Sequence, residues 1–372
     1  MRRKIAVNTR FLLHGRIEGI GLFTQEILRE MVLAHPETDF YFLFDREYHQ
    51  EFIFAENVVP VVLFPQARHP FLWYWWFEIS VKKWLAKNKP DVFLSPDGYC
   101  VLNTNTPQVL VVHDLAFEHF SDQLPKLVLK YYKHFVPKFI AKAEKVVAVS
   151  EATKQDIVAH YGTNPDKIEV VYNATINNYQ PLNELQKSDI KRDFSDDEEY
   201  FVYVGSIHPR KNIRNLLLAF DEFKKQTKAS TKLLLVGRMA WQYSDVEATL
   251  QTLQHRNDIL FLGHQPSEKV AQIVGAALAM CYVSLFEGFG IPIIEAQQAG
   301  VPVITSAVSS MPEVAGNSAL LVNPESVNEI ASAMQKINAE VALRNDLIQK
   351  GLKNTARFGW KLSAEKLWKL LK

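Results

Sequence analysis

Short apolar runs return along this chain at intervals that leave room for one helix each, and that alternation limits the fold more than any other feature. The first series reads as strands at Lys4 to Val7, Asp39 to Phe44, Val58 to Phe64, Asp91 to Ser95, Gln108 to Val112, Lys145 to Val149 and Ile168 to Val171. A second series runs through Tyr200 to Val204, Lys232 to Val236, Ile259 to Leu262, Ala279 to Val283, Val301 to Thr305 and Ala319 to Val322. Helical stretches alternate with them, for example Leu22 to Leu33, Lys126 to Ala143 and the segment SEATKQDIVAHYG, which ends at a capping glycine, Gly162. Between the two series, residues 177–199 are polar, lose all periodicity and end in an acidic cluster, so a linker is expected there. Strands alternating with helices build doubly wound sheets, and two such series predict two α/β domains facing a cleft. The expected boundaries are 1–178, a linker at 179–199, and 200–357. With 372 residues, the chain is also long for a single core.

Composition removes several classes of function. The net charge of +1 provides no global field for nucleic acid or an acidic membrane. Cys100 and Cys281 are the only cysteines, which excludes a disulfide framework and a cysteine zinc cluster and fits a reducing cytoplasm. The opening MRRKIAVNTRF has basic residues, but Asn8, Thr9 and Arg10 interrupt its apolar run, so it reads as a strand and not a signal peptide. No stretch approaches the ~20 apolar residues of a membrane span. Leu72 to Ala86 is expected to be a helix crowded with aromatics, among them Trp73, Tyr74, Trp75, Trp76, Phe77 and Trp84. Apolar residues run all around it, which favours burial, while the nearby Lys82, Lys83 and Lys87 leave a membrane-surface face as the alternative.

The stretch Ser284 to Ser306, SLFEGFGIPIIEAQQAGVPVITS, carries the strongest chemical signal. It reads as strand, glycine-rich turn, helix, glycine stop and strand, with Pro292 at the helix start and Gly300 past its end. Glu287 then sits on the turn and Glu295 about one turn into the helix, whose N-terminus points between them. That suits a phosphorylated, hydroxyl-rich ligand; the alternative is a crossover whose glycines serve only chain geometry. Arg210 and Lys211, in the loop GSIHPRKN after another strand, would lie on the same sheet edge and offer two cations to a diphosphate. His113 and Asp114 follow a buried-type strand directly, at the edge where open α/β sheets bind ligands. The loop IEGIGLF, with Gly19 and Gly21, brings backbone within reach of a ligand. A sugar nucleotide has the matching parts: hydroxyls for Glu287 and Glu295, phosphates for Arg210 and Lys211. No dinucleotide fingerprint, P-loop, nucleophile elbow, H-E-x-x-H or lone D-x-D motif is present. Those absences argue against a dehydrogenase, kinase, hydrolase or metal-dependent transferase.

Several blocks, taken in order, resemble the retaining GT-B glycosyltransferases of family four, which include bacterial mannosyltransferases. These blocks are GIGLFTQEIL, DVFLSPDGY with VVHDLAF, VVAVSEATKQDI, VVYNAT, GSIHPRKN, FEGFGIPIIEAQQAGVPVITS with its E-x7-E spacing, MPEVAG, and FGWKLSAEKLWKLL. The resemblance implies two Rossmann-like domains, with the closing helix of 358–372 packing back on the first. It implies that Glu287 contacts donor-sugar hydroxyls beside the amides of Gly288, Phe289 and Gly290, and that Glu295 holds the ribose. Arg210 and Lys211 would neutralise the diphosphate in the loop opened by Gly205. His113 would approach the sugar ring, and Gly19 and Gly21 would border the phosphates or acceptor. Ser206 and Leu22 stand where many members carry Arg. The implied chemistry is transfer of a hexose without metal or cofactor from a nucleotide-diphosphate sugar, GDP-mannose first, to a polysaccharide or lipid-linked saccharide hydroxyl. The expected location is the cytoplasm or the inner face of the plasma membrane as a peripheral protein. A sugar-nucleotide epimerase or hydrolase, or a non-catalytic two-lobed binding protein, is the alternative.

Overall fold

The computed structural model describes residues 2–17, 19–176, 179–238 and 244–372; the expected domain end at 178 lies outside them. The chain divides into two units, Met1–Ala174 with Phe358–Lys372, and Thr175–Arg357.

In the first unit β1 (Arg3–Asn8), β2 (Thr38–Phe44), β3 (Val58–Val62), β4 (Val92–Ser95), β5 (Gln108–Val112), β6 (Lys145–Ala148) and β7 (Ile168–Val170) form one sheet. Its order is β3-β2-β1-β4-β5-β6-β7, and every pairing is parallel. Residues of β4 and β5 are buried throughout, as strands covered by helices on both faces require. Strand order reverses between β1 and β4, which makes their carboxyl ends the switch point at which ligands bind. The helix Ile20–Ala34 follows β1. Gly21 is needed there for packing, because a Cβ would stand 2.7 Å from the Phe11 carbonyl oxygen. The last helix, Trp360–Leu370, belongs to this unit. Its Trp360 meets Phe23 edge-on at 6.1 Å, Trp368 stacks on His35 at 3.6 Å, and Ser363 donates to the Tyr172 carbonyl at 2.7 Å.

The aromatic segment is neither wholly buried nor a one-sided surface stripe. It runs as helix Pro70–Trp75, a π-helical turn Trp76–Val81, and helix Lys82–Asn88. The wide turn shifts the angular phase of the residues beyond it. Trp76, Phe77 and Val81 of the turn and Leu85 beyond it reach the core, while Phe71, Tyr74 and Trp75 ahead of it stay exposed.

The second unit has β8 (Tyr200–Val204), β9 (Lys232–Val236), β10 (Ile259–Gly263), β11 (Ala279–Tyr282), β12 (Val303–Ser306) and β13 (Ala319–Val322). They pair in parallel in the order β10-β9-β8-β11-β12-β13, with the switch point between β8 and β11. The expected linker is corrected by the structure: it carries a helix, Glu184–Ser195, inside this unit. Asn183 and Gln186 form a capping box, and the pairs Lys187–Glu184 and Arg192–Asp189 brace the exposed face. Only Ile190 and Ser195 of this helix are buried, so its apolar period is too sparse to read in the sequence. Ahead of it Leu182 lies against Gly275 and Pro181 against Gly300. Among the described residues no helix is long and apolar enough to cross a membrane.

Candidate functional site

The second switch point is built from two loops. After β8 the chain passes Gly205, whose φ of +148° and closeness to the Tyr203 hydroxyl, 2.8 Å from an added Cβ, require glycine. It then makes a single 3₁₀ turn, Pro209–Lys211. Buried Asn212 anchors this turn, its Nδ2 donating to the carbonyls of Val283 (2.9 Å) and Pro324 (2.7 Å), and Leu285 N donates to the Arg210 carbonyl at 2.9 Å. Those bonds join the β8 loop to the end of β11. As a result, Arg210 and Lys211 converge on Glu287.

The geometry of that convergence is tight. Lys211 Nζ donates to Glu287 Oε1 at 2.6 Å and to the Tyr282 hydroxyl at 2.9 Å. Arg210 Nη1 reaches Glu287 Oε2 at 3.2 Å and the Phe286 carbonyl at 2.6 Å. Glu287 is 7% exposed. Burial alone would push its carboxyl up, but the charges of Lys211 and Arg210 and the Lys211 hydrogen bond outweigh burial and bring it down to about 2. The carboxylate is therefore ionised at any physiological pH. The loop that carries it is stapled from the β12 side. Ser309 Oγ donates to the Glu287 carbonyl at 2.6 Å, and Ser310 Oγ donates to the carbonyls of Glu287 (2.9 Å) and Phe289 (2.8 Å). Sequence reading missed both serines, since a Ser-Ser pair after a strand looks like any loop.

Gly288 and Phe289 lead to Gly290, the N-cap of helix Ile291–Gln298, with Pro292 in its first turn and Gly300 beyond its end at φ +69°. Glu295 sits on this helix in a different environment from Glu287. It is partly buried, and burial pushes its carboxyl up to about 7 against the opposing hydrogen bond from Tyr179. The two carboxyls of this stretch are thus shifted in opposite directions, Glu287 down and Glu295 up.

In the first unit His113 follows β5, and its Nε2 lies 2.7 Å from the Pro96 carbonyl. A carbonyl only accepts, so Nε2 carries the proton and Nδ1 is left as an acceptor. Burial lowers the pKa of His113, against the Pro96 bond and the charges of Asp114 and Asp97, so the ring is neutral. Asp114 is turned back on its own loop, accepting from Ala116 N at 2.9 Å. Gly19 is exposed at φ +40°, just before helix Ile20–Ala34.

The feature missed here is Arg10. It is 6% exposed, pairs through Nε with Asp97 Oδ2 at 2.5 Å, and lies over the Tyr99 ring at 4.1 Å. Ser95 Oγ donates to Asp97 Oδ1 and Asn8 Nδ2 to Ser95 Oγ, which completes a network across the β1/β4 switch point. A cavity of about 150 Å³ lies beside it, lined by Asp97, Tyr99, His113, Asp114 and Phe117 among others. The only hint in the sequence was the polar Asn8-Thr9-Arg10 directly after a buried-type strand.

Two groups of described residues have three metal-type donors within reach of one another: His14, His49 and Glu51, and His119, Asp156 and His160. Neither includes a residue of the second switch point.

Solved structures with the same architecture span the chain. A sucrose-phosphate synthase from Thermosynechococcus elongatus superposes with a TM-score of 0.78 at 21% identity, covering 99% of this chain and 98% of that one. WaaG, a glycosyltransferase involved in lipopolysaccharide biosynthesis, does so with a TM-score of 0.75 at 16% identity, covering 99% of both. Fold and topology together are those of a GT-B protein with two Rossmann-like units. Residues 17–175 match the profile described as Glycosyltransferase Family 4, and residues 186–354 that of Glycosyl transferases group 1. The chain belongs to this glycosyltransferase family. Among its relatives, an O-antigen chain mannosyltransferase B of Escherichia coli is 26% identical over 74% of this chain and 73% of its own. The O-antigen chain mannosyltransferase RfbU of Salmonella typhimurium is 28% identical over 78% of each.

Proposed function

We propose that this glycosyltransferase moves mannose from GDP-mannose to a hydroxyl of a polysaccharide or lipid-linked oligosaccharide, without metal and with retention of configuration. The observation that carries the donor reading is the convergence of Arg210 and Lys211 on Glu287 at the second switch point. Two cations beside one carboxylate suit a diphosphate, and the carboxylate suits sugar hydroxyls. Glu295 would take the ribose, exchanging its Tyr179 bond for the ligand's hydroxyls. The amides of Gly288, Phe289 and Gly290 and the loop at Gly205 would border the donor. Gly19 and Gly21 keep their assignment beside phosphate or acceptor, although Phe11 alone accounts for the glycine at 21. Mannose is the first choice of sugar because the two relatives named above are mannosyltransferases.

The bond from the sugar's anomeric carbon to the diphosphate oxygen breaks, and Arg210 and Lys211 stabilise the charge that gathers on the departing group. The acceptor oxygen bonds to the same face of the sugar, and its proton passes to the departing diphosphate. Neutral His113 contributes an acceptor at Nδ1 for a saccharide hydroxyl, not a charge. Incubation with GDP-mannose and a mannan acceptor in EDTA should give an α-linked product and GDP in equal amounts, read by NMR. A β-linked product would end the retaining reading. Release of GDP without acceptor use would end the transferase reading.

A further inference from the structure

Helix Ala116–His119 and helix Glu151–Tyr161 of the first unit bring His119, Asp156 and His160 together. Asp156 and His160 stand one helical turn apart and share a face, and His119 meets them from the end of the other helix. His119 Nε2 lies 2.9 Å from both carboxylate oxygens of Asp156. His160 Nδ1 lies 3.1 Å from Asp156 Oδ1 and 3.1 Å from the Asp156 carbonyl. One ligand atom from each of the three side chains falls within 4.8 Å of the others. Among the described residues no lysine or arginine pairs with Asp156; Lys133, close by, faces Glu118 at 3.6 Å. The carboxylate therefore has only imidazoles for partners.

Two imidazole nitrogens and a carboxylate oxygen are the donor set of a divalent transition metal, zinc foremost; magnesium and calcium take oxygen donors instead. Zinc bonds of roughly 2.0–2.1 Å set tetrahedral neighbours about 3.3 Å apart. The pairs at 2.9 and 3.1 Å need to open only slightly to admit the ion. Ring orientation fits as well, because an imidazole lone pair lies in the plane of its ring. The rings of His119 and His160 stand at 76° with centroids 5.0 Å apart, so their planes cross and both can aim at one ion. The other histidine group lacks this property. His14 and His49 stack at 3.8 Å and 19°, which sets their lone pairs side by side in separate planes. The first group is also braced without an ion: Tyr161, next to His160, donates to Glu118, next to His119, at 2.9 Å. That bond holds the two helices in place, so binding has little left to order.

We propose that His119, Asp156 and His160 form a zinc site that clamps the chain leaving His113 to helix Glu151–Tyr161. Helix Ala116–His119 begins just beyond His113 and Asp114, so an ion at its end fixes the segment on which His113 is carried. The ion holds structure and takes no part in the transfer, so the proposal stands apart from the donor reading and from turnover in EDTA. The test uses untagged protein, stripped with EDTA and dialysed against micromolar zinc chloride with millimolar magnesium present. It should take up one equivalent of zinc and melt at a higher temperature than the stripped protein. His160→Ala, at an exposed helix end, and Asp156→Asn should each weaken zinc binding at least tenfold, since losing even an outer-shell partner of a ligand costs about that much. His14→Ala should bind zinc as wild type does. No uptake by wild type, undiminished uptake by His160→Ala or Asp156→Asn, or loss of uptake in His14→Ala would overturn the proposal. Thermal shift by GDP-mannose on the same variants reads the donor site separately and should not change.

Discussion

The two sheets share one winding order, and each places cationic and carboxylate side chains at its switch point, yet the two clusters are built for different ends. At the first, Arg10 and Asp97 have side chains only 5% and 2% exposed, and Tyr99 covers the guanidinium. At the second, Arg210 and Lys211 are 20% and 15% exposed and share the single carboxylate of Glu287. A sealed one-to-one pair has geometry to maintain and nothing to offer a ligand. An accessible two-to-one cluster can exchange one anionic partner for another. Topology thus decides where a site forms, and the count and exposure of charges decide whether the site is structural or functional.

The largest effect should come from breaking the sealed pair. Asp97→Ala leaves Arg10 buried without its carboxylate and should cost about 3–5 kcal/mol of stability in urea denaturation. A loss below about 1 kcal/mol would mean that the first cluster is not the structural one. Next comes Lys211→Ala, which should lower turnover by on the order of a hundredfold, near 3 kcal/mol of transition-state binding, and should also cost some stability, smaller than for Asp97→Ala because Arg210 still faces Glu287. A loss of less than tenfold would remove Lys211 from the chemistry.

The smallest effect separates the carboxylates within the second unit. Glu295 keeps its proton up to about pH 7 when folded and loses it near 4.5 when unfolded, so stability should fall as pH rises across that window. Glu295→Gln should flatten this slope, worth about 2 kcal/mol once partial solvent access is allowed for. Glu287 works in the opposite sense: its folded pKa of about 2 contributes stability above pH 4.5 that is lost as pH falls toward 2. Identical pH profiles for wild type and Glu295→Gln would show that the Tyr179 hydrogen bond cancels the effect of burial on Glu295.

Most strands were legible because fully buried strands leave uninterrupted apolar runs, as QVLVV does before His113. The Glu287 turn, Pro292 and Gly300 were legible because special backbone positions restrict residue choice. Helix Glu184–Ser195 was hidden because its cap and ion pairs stabilise it with almost no apolar face. Arg10 was hidden because burial of a charge depends on a partner 87 positions away. The split of the aromatic segment into core and surface residues depends on a π-helical turn that leaves no mark in composition.

The central claim is that the second switch point, and not the first, binds a nucleoside diphosphate. Calorimetric titration of GDP into wild type, Lys211→Ala and Arg10→Met tests it directly. The account predicts that Lys211→Ala weakens binding at least tenfold and that folded Arg10→Met binds as wild type does. Wild-type affinity in Lys211→Ala, or no heat of binding to wild type at millimolar GDP, would contradict it.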